Sequence, residues 1–129
     1  MFTLEQIQNA HSKVKSGADF PAYIQDLKKL GLTHYESFVE DGHAEFFGIN
    51  NFKISSPVKY YNLPIAKDSN SQQFKLDLKS HQEGKTDYLT FCKDCANSGV
   101  EKWQVSIEKM TCTYFDLQGN EILMEQIPS

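Results

Sequence analysis

The sequence predicts an α+β protein built from one structural unit written twice, and three observations point there. Residues 88–122, slid back by 68 positions, lie without a gap on residues 20–54. Identities fall at Asp26/Asp94, Gly31/Gly99, Glu40/Glu108, Phe47/Phe115 and Ile54/Ile122, and Asp19/Asp87 extends the match by one residue. Apolar pairs such as Tyr23/Phe91, Leu32/Val100, Tyr35/Trp103 and Val39/Ile107 fill the intervals, so coincident glycines and aromatics add weight to few identities. In each copy the apolar period changes after the glycine from helical spacing to the alternation of a strand. Turn residues then divide the alternating part into three short segments.

In chain order, Thr3 caps a first helix, with Gln6 completing a capping box. Leu4, Ile7, Ala10 or His11, and Val14 give it an apolar stripe that stops near Gly17. Asp19 reads as the cap of a second helix with Pro21 in its first turn. Phe20, Tyr23, Ile24, Leu27 and Leu30 form its buried face, and Gly31 its left-handed end. From Leu32 the period is two: Tyr35, Ser37 and Val39 share one face, while His34, Glu36, Phe38 and Glu40 share the other. Asp41-Gly42 reads as a two-residue hairpin turn into a strand over residues 44–48, and Asn50-Asn51 as a second turn before a strand over 52–55.

Residues 56–70 contain two prolines and little periodicity, and they connect the halves. Ser69 with Gln72 repeats the capping box, and Phe74, Leu78 and His81 or Gln82 repeat the first stripe. A fourth helix follows over residues 87–98, then strands near 101–108, 111–117 and 121–127. The expected fold is a single domain over residues 1–129: pseudo-repeats of about 1–55 and 69–127, joined at about 56–68. Each repeat alone would leave open sheet edges, so the two share an antiparallel sheet of about six strands with four helices packed on it. The groove between repeats is then the default ligand site.

Composition bounds the function. A hydrophobic content of 40% with 23% charged residues is that of a globular chain with a core. A net charge of −4 speaks against general affinity for phosphate backbones, so no nucleic-acid partner is expected. The first fifteen residues lack the apolar run of a secretory signal, and no stretch approaches a membrane span, which points to a cytoplasmic protein with reduced thiols.

Cys92 and Cys95 form a CxxC pair, but a lone Cys112 and scattered histidines do not complete a tetrahedral zinc set. A redox pair belongs at a helix N-terminus after a strand. These cysteines instead align with Ile24, Leu27 and Ala44, as small hydrophobes in core positions. No metal and no cofactor are expected. Asp26 and Asp94, paired by the repeat, are candidates for divided acid and base roles if the fold brings them together. His43 beside Asp41 is the exposed-looking His/Asp neighbourhood. Tyr60 and Tyr61 in the connection either pack on the sheet or rim a binding surface.

The stretches KSGADFPAYIQDLKKLG, VEDGHAEFFG, HQEGKTDYLTFCKDCANSGVEKW and MTCTYFDLQGNEI resemble a family of small uncharacterised bacterial proteins. Its members are found in enterobacterial genomes and prophages, are grouped under a domain of unknown function with YbcV and YdfO-like relatives, and are sometimes labelled phage envelope protein. The resemblance spans nearly the whole chain and implies no established activity, so it assigns no catalytic residue.

The reading that follows is a small cytosolic, phage- or prophage-related binding module for a protein or small molecule, a monomer or weak homodimer, acting through the inter-repeat groove and the Tyr60-Tyr61 connection. Ligand- or partner-binding residues are Tyr60, Tyr61, Asp26, Asp94 and His43. The alternative is an enzyme with an acid/base site in that groove. A leftover sheet edge offers a route to self-association.

Overall fold

The computed structural model describes residues 1–15 and 17–128. Among these, four α-helices and six strands alternate in two runs: α1 (Leu4–His11), α2 (Phe20–Leu30), β1 (Leu32–Phe38), β2 (Ala44–Gly48) and β3 (Lys53–Ser55), then α3 (Ser71–Gln82), α4 (Tyr88–Asn97), β4 (Lys102–Ser106), β5 (Thr111–Phe115) and β6 (Glu121–Gln126). Local chemistry sets the ends. Thr3 and Gln6 form the expected capping box, and the Asp87 carboxylate accepts the Thr90 N–H at 2.8 Å. Gly99 adopts φ +82°, letting Val100 and Gly99 donate to the carbonyls of Cys95 and Ala96, the two bonds of a Schellman ending.

The strands form one antiparallel sheet in the order β3-β2-β1-β4-β5-β6. Two meanders therefore meet at β1 and β4, the first strand of each. There Glu36 stands opposite Gln104, its own counterpart 68 positions on. On either side, Val39 N–H donates to the Glu101 carbonyl and Ile107 N–H to the Thr33 carbonyl, at 2.9 and 3.0 Å. These pairs also stand 68 positions apart, so the central ladder is symmetric about an axis between Glu36 and Gln104.

The alternation read in β1 decides the layers. Tyr35, Val39, Ala44, Phe46, Val105, Ile107, Cys112 and Tyr114 are buried on one face, in the same core as Ile24 and Leu27 of α2, Phe74 of α3 and Phe91 of α4. Full burial of Ile24, Leu27 or Phe74 stabilises the fold by about 1.5–3 kcal/mol each. The opposite face carries His34, Glu36, Phe38, Glu45, Phe47, Lys102, Gln104 and Thr113, all partly exposed. No helix covers it among the described residues.

Several expected boundaries move. The helix α1 ends at His11, not near Gly17, and the chain turns through Ser12 and Lys13. Asp19 makes no side-chain cap on α2; it closes a 3₁₀ turn and its carboxylate accepts the Lys15 N–H at 2.9 Å. Asn70, not Ser69, caps α3, because its N–H is pinned to the Ser98 carbonyl while Ser69 lies against Gly99. Asp41-Gly42 is not a two-residue hairpin: Ser37 and Ala44 are the last ladder pair, and Val39 stays in line with β1 to bond Glu101. The outer pairings also differ by one residue. Phe46 faces Ile54, but Tyr114 faces Leu123 across a register shift between Tyr114 and Phe115.

Candidate functional site

The connection over residues 56–70 is irregular, yet its backbone is bonded along its length. Lys59 N–H donates to the Asp41 carbonyl at 2.9 Å and Leu63 N–H to that of Glu40 at 2.7 Å. Ala66 and Asn70 then donate to Ala96 and Ser98 at the end of α4, each at 2.9 Å. The segment is thus a strap from the β1–β2 turn to the far half, held at intervals by backbone hydrogen bonds without regular structure.

The adjacent tyrosines diverge along this strap. The Tyr60 hydroxyl donates to the Val39 carbonyl at 2.5 Å, and its ring closes on Gly42, where an added Cβ would come within 2.6 Å of Cε2. The Tyr60 and Tyr88 side chains also lie near the buried Cys92 thiol. Lys59 Nζ sits 5.4 Å from the centre of the Tyr88 ring. Burial raises the pKa of Tyr60, Tyr88 and Cys92. Tyr60, Tyr88 and Cys92 thus cluster where the strap meets α4, with Cys92 buried and Tyr88 42% exposed. Tyr61, one residue on, is 96% exposed.

From Tyr61 the strap continues into an open pocket of about 380 Å³ lined by Glu40, Asn62, Leu63, Pro64, Ile65 and Leu117. Of its lining, Leu117 leaves apolar surface exposed and Glu40 contributes a carboxylate. The sequence reading missed the pocket. Its signal was the run of Leu63, Pro64 and Ile65 inside a segment with no helical or strand period to bury them.

His43 lies at the same turn, toward the uncovered sheet face. Its Nδ1 meets Asp41 Oδ1 at 2.5 Å, its Nε2 meets Glu45 Oε2 at 3.2 Å, and its ring stacks on Phe38 at 4.5 Å. Burial opposes its charge, but the hydrogen bonds and charges of Asp41 and Glu45 prevail and raise its pKa. Glu45 also pairs with Lys53 at 3.1 Å. Across the sheet, Lys102 pairs with Glu36 at 2.9 Å and lies over both Phe38 and Phe115, at 5.7 and 5.8 Å from their ring centres. Through Glu36 and Phe38, Lys102 ties the halves together on the face that the helices leave bare.

Asp26 and Asp94 do not converge. Asp26 lines a crevice with Ala10, Lys13 and Val14 of the α1 side. Asp94 faces the opposite flank, where burial, with Asp77 of α3 adding like charge, raises its pKa against the lowering effect of His81. The thiols are core residues: Cys92 and Cys95 have no exposed surface, and burial pushes Cys112 up to about 12. Among the described residues no group of three or more His, Cys, Asp and Glu side chains is arranged to hold a metal ion. No helix there is long and apolar enough to cross a membrane.

Fold and site together define a two-layer α+β protein of two joined meanders, strapped across one end and bare on one sheet face. The chain belongs to the family described as Protein of unknown function (DUF1398), whose model matches residues 8–126. No curated protein matches it.

Proposed function

We propose that the chain is a binding module that holds an extended protein segment at its strapped end. Tyr61 is the anchor, the pocket from Asn62 to Ile65 takes an apolar side chain, and Glu40 pairs with a basic neighbour in the bound segment. The observation that carries this reading is the divergence of the two tyrosines. Tyr60 is spent on structure, while Tyr61 leaves a large aromatic ring in water beside an apolar pocket on a hydrogen-bonded backbone. Exposed aromatics next to pockets are the usual anchors of interfaces, because a rigid ring buries much area while losing little conformational freedom. The enzyme alternative draws no support from Asp26 and Asp94, which face opposite flanks, nor from His43, whose two ring nitrogens are both engaged by carboxylates.

The resemblance of the four quoted stretches supports a bacterial, prophage-related setting with YbcV and YdfO-like relatives. An acidic chain with no cluster of Lys and Arg favours a protein partner over nucleic acid or a membrane surface.

Immobilised full-length chain, Tyr61→Ala and Asp26→Ala, each incubated with bacterial lysate, test the proposal. Proteins retained by the unmodified chain and by Asp26→Ala should fall about tenfold with Tyr61→Ala, the loss expected of an interface anchor. A binding peptide mapped from them should lose affinity when its basic residue is replaced. Equal retention by all three proteins overturns the reading.

A further inference from the structure

The two outer strands of the sheet are finished differently. β3 has three residues, carries Lys53, follows the left-handed pair Asn50 and Asn51 and precedes Pro57, all devices that discourage a further strand. β6 has six residues, with no proline and no Lys or Arg among them. Its outer edge is unpaired among the described residues. Met124 in its middle is half exposed, on the uncovered face, opposite Thr113.

We infer that the β6 edge takes a second copy of this chain, antiparallel, with Met124 facing its own counterpart across a twofold axis. The middle of the molecule already joins two meanders in this way, with Glu36 opposite Gln104, so the proposed contact repeats that symmetric antiparallel pairing. Symmetry, strand length and charge select the register, since only a centre on Leu123 or Met124 pairs most of the strand. A twofold axis normal to the sheet places one residue opposite itself and keeps both helix layers on the same side. Centring on Leu123 sets Glu121 against the second copy's Glu125, twice over, and like charges directly opposite destabilise a ladder. Centring on Met124 sets Leu123 against the second copy's Glu125 and Ile122 against its Gln126, with no like-charge pair. The result is a continuous sheet of two copies with their β3 edges outermost.

Sedimentation velocity of the full chain from micromolar to millimolar concentration tests this, beside Met124→Lys and, as a fold control, Thr113→Lys on the neighbouring strand. Dimer should form with rising concentration and weaken about tenfold or more with Met124→Lys, since a lysine on an edge strand blocks further pairing. Thr113→Lys should keep it. A Met124→Cys variant should cross-link to itself under mild oxidation while Thr113→Cys does not. A chain that stays monomeric throughout overturns the inference. So does a dimer indifferent to Met124→Lys, or an edge that takes a foreign extended peptide in place of a second copy.

Discussion

His43 sets a pH window for the turn that anchors the strap. Its pKa is raised above the ordinary 6.5, so its stabilising effect is whole below that value and fades as pH rises through the folded one. Burial pushes Asp41 and Glu45 up, but the hydrogen bonds and charge of His43, joined at Glu45 by those of Lys53, outweigh it and hold both carboxyls below their ordinary 3.8 and 4.5. Their contribution is present above those values and is lost as pH falls through the folded ones. The cluster is therefore strongest between the two ranges. On going from about pH 5.5 to about pH 8, the unmodified chain should lose roughly 0.5–1 kcal/mol more than His43→Gln, the range of part-exposed ion pairs. Urea unfolding at both pH values measures it, and parallel losses would remove the role given to His43. The sequence showed His43 next to Asp41, but not Glu45 on its far nitrogen, because that contact depends on where the turn ends and β2 begins. Nor did it separate Tyr60 from Tyr61. Two neighbours of the same type in an irregular segment carry no period, and which ring turns inward is decided by Gly42 and the Val39 carbonyl, both remote in sequence.

Elements were legible where local chemistry sets them and illegible where a distant backbone intervenes. Thr3 and Asp87 cap as read, and β2 occupies the residues its alternation marked. Asp19 was misread because its carboxylate turns back to the Lys15 N–H, and Ser69 because the Ser98 carbonyl, remote in sequence, fixes Asn70 at the cap position instead. The two helix-ending glycines show the same division. Gly31, at φ +101°, has open space where a Cβ would stand, whereas a Cβ on Gly99 would come within 2.8 Å of the Ser69 Cα and 2.9 Å of the Asp68 carbonyl oxygen. Gly31→Ala should thus bear only the left-handed penalty, about 1–2 kcal/mol. Gly99→Ala adds displacement of the strap's backbone and should destabilise by roughly 3 kcal/mol or more. Equal urea midpoints for the two variants would mean that the strap does not press on Gly99.

At the scale of the whole molecule, the α+β class, the six-strand antiparallel sheet and the layer order were legible in the sequence, since alternation and helical stripes are both local. That one sheet joins the halves was expected, but not that β1 and β4 make the joint, because strand pairing between distant segments leaves no local mark. The joint is extensive: β1 pairs with β4 over five residue pairs, Lys102 bonds Glu36 across it, and Val39, Val105 and Ile107 are buried beside it. Separated, each half would expose the edge of its first strand and lose the opposing wall of its core, and a chain of about sixty residues has little stability to spare. Fragments 1–61 and 62–129, divided at exposed Tyr61, should each lack a cooperative urea transition. Mixed, they should recover one, reported by Trp103, the lone tryptophan, which lies in β4 against Phe91 and Tyr114. Because the cut removes the covalent link between the halves and leaves the Leu63–Glu40 bond to form between separate chains, the mixture should unfold at lower urea than the intact chain. A cooperative transition in either fragment alone would show that the central ladder joins two units already able to fold, and that the shared core is not what holds the molecule together.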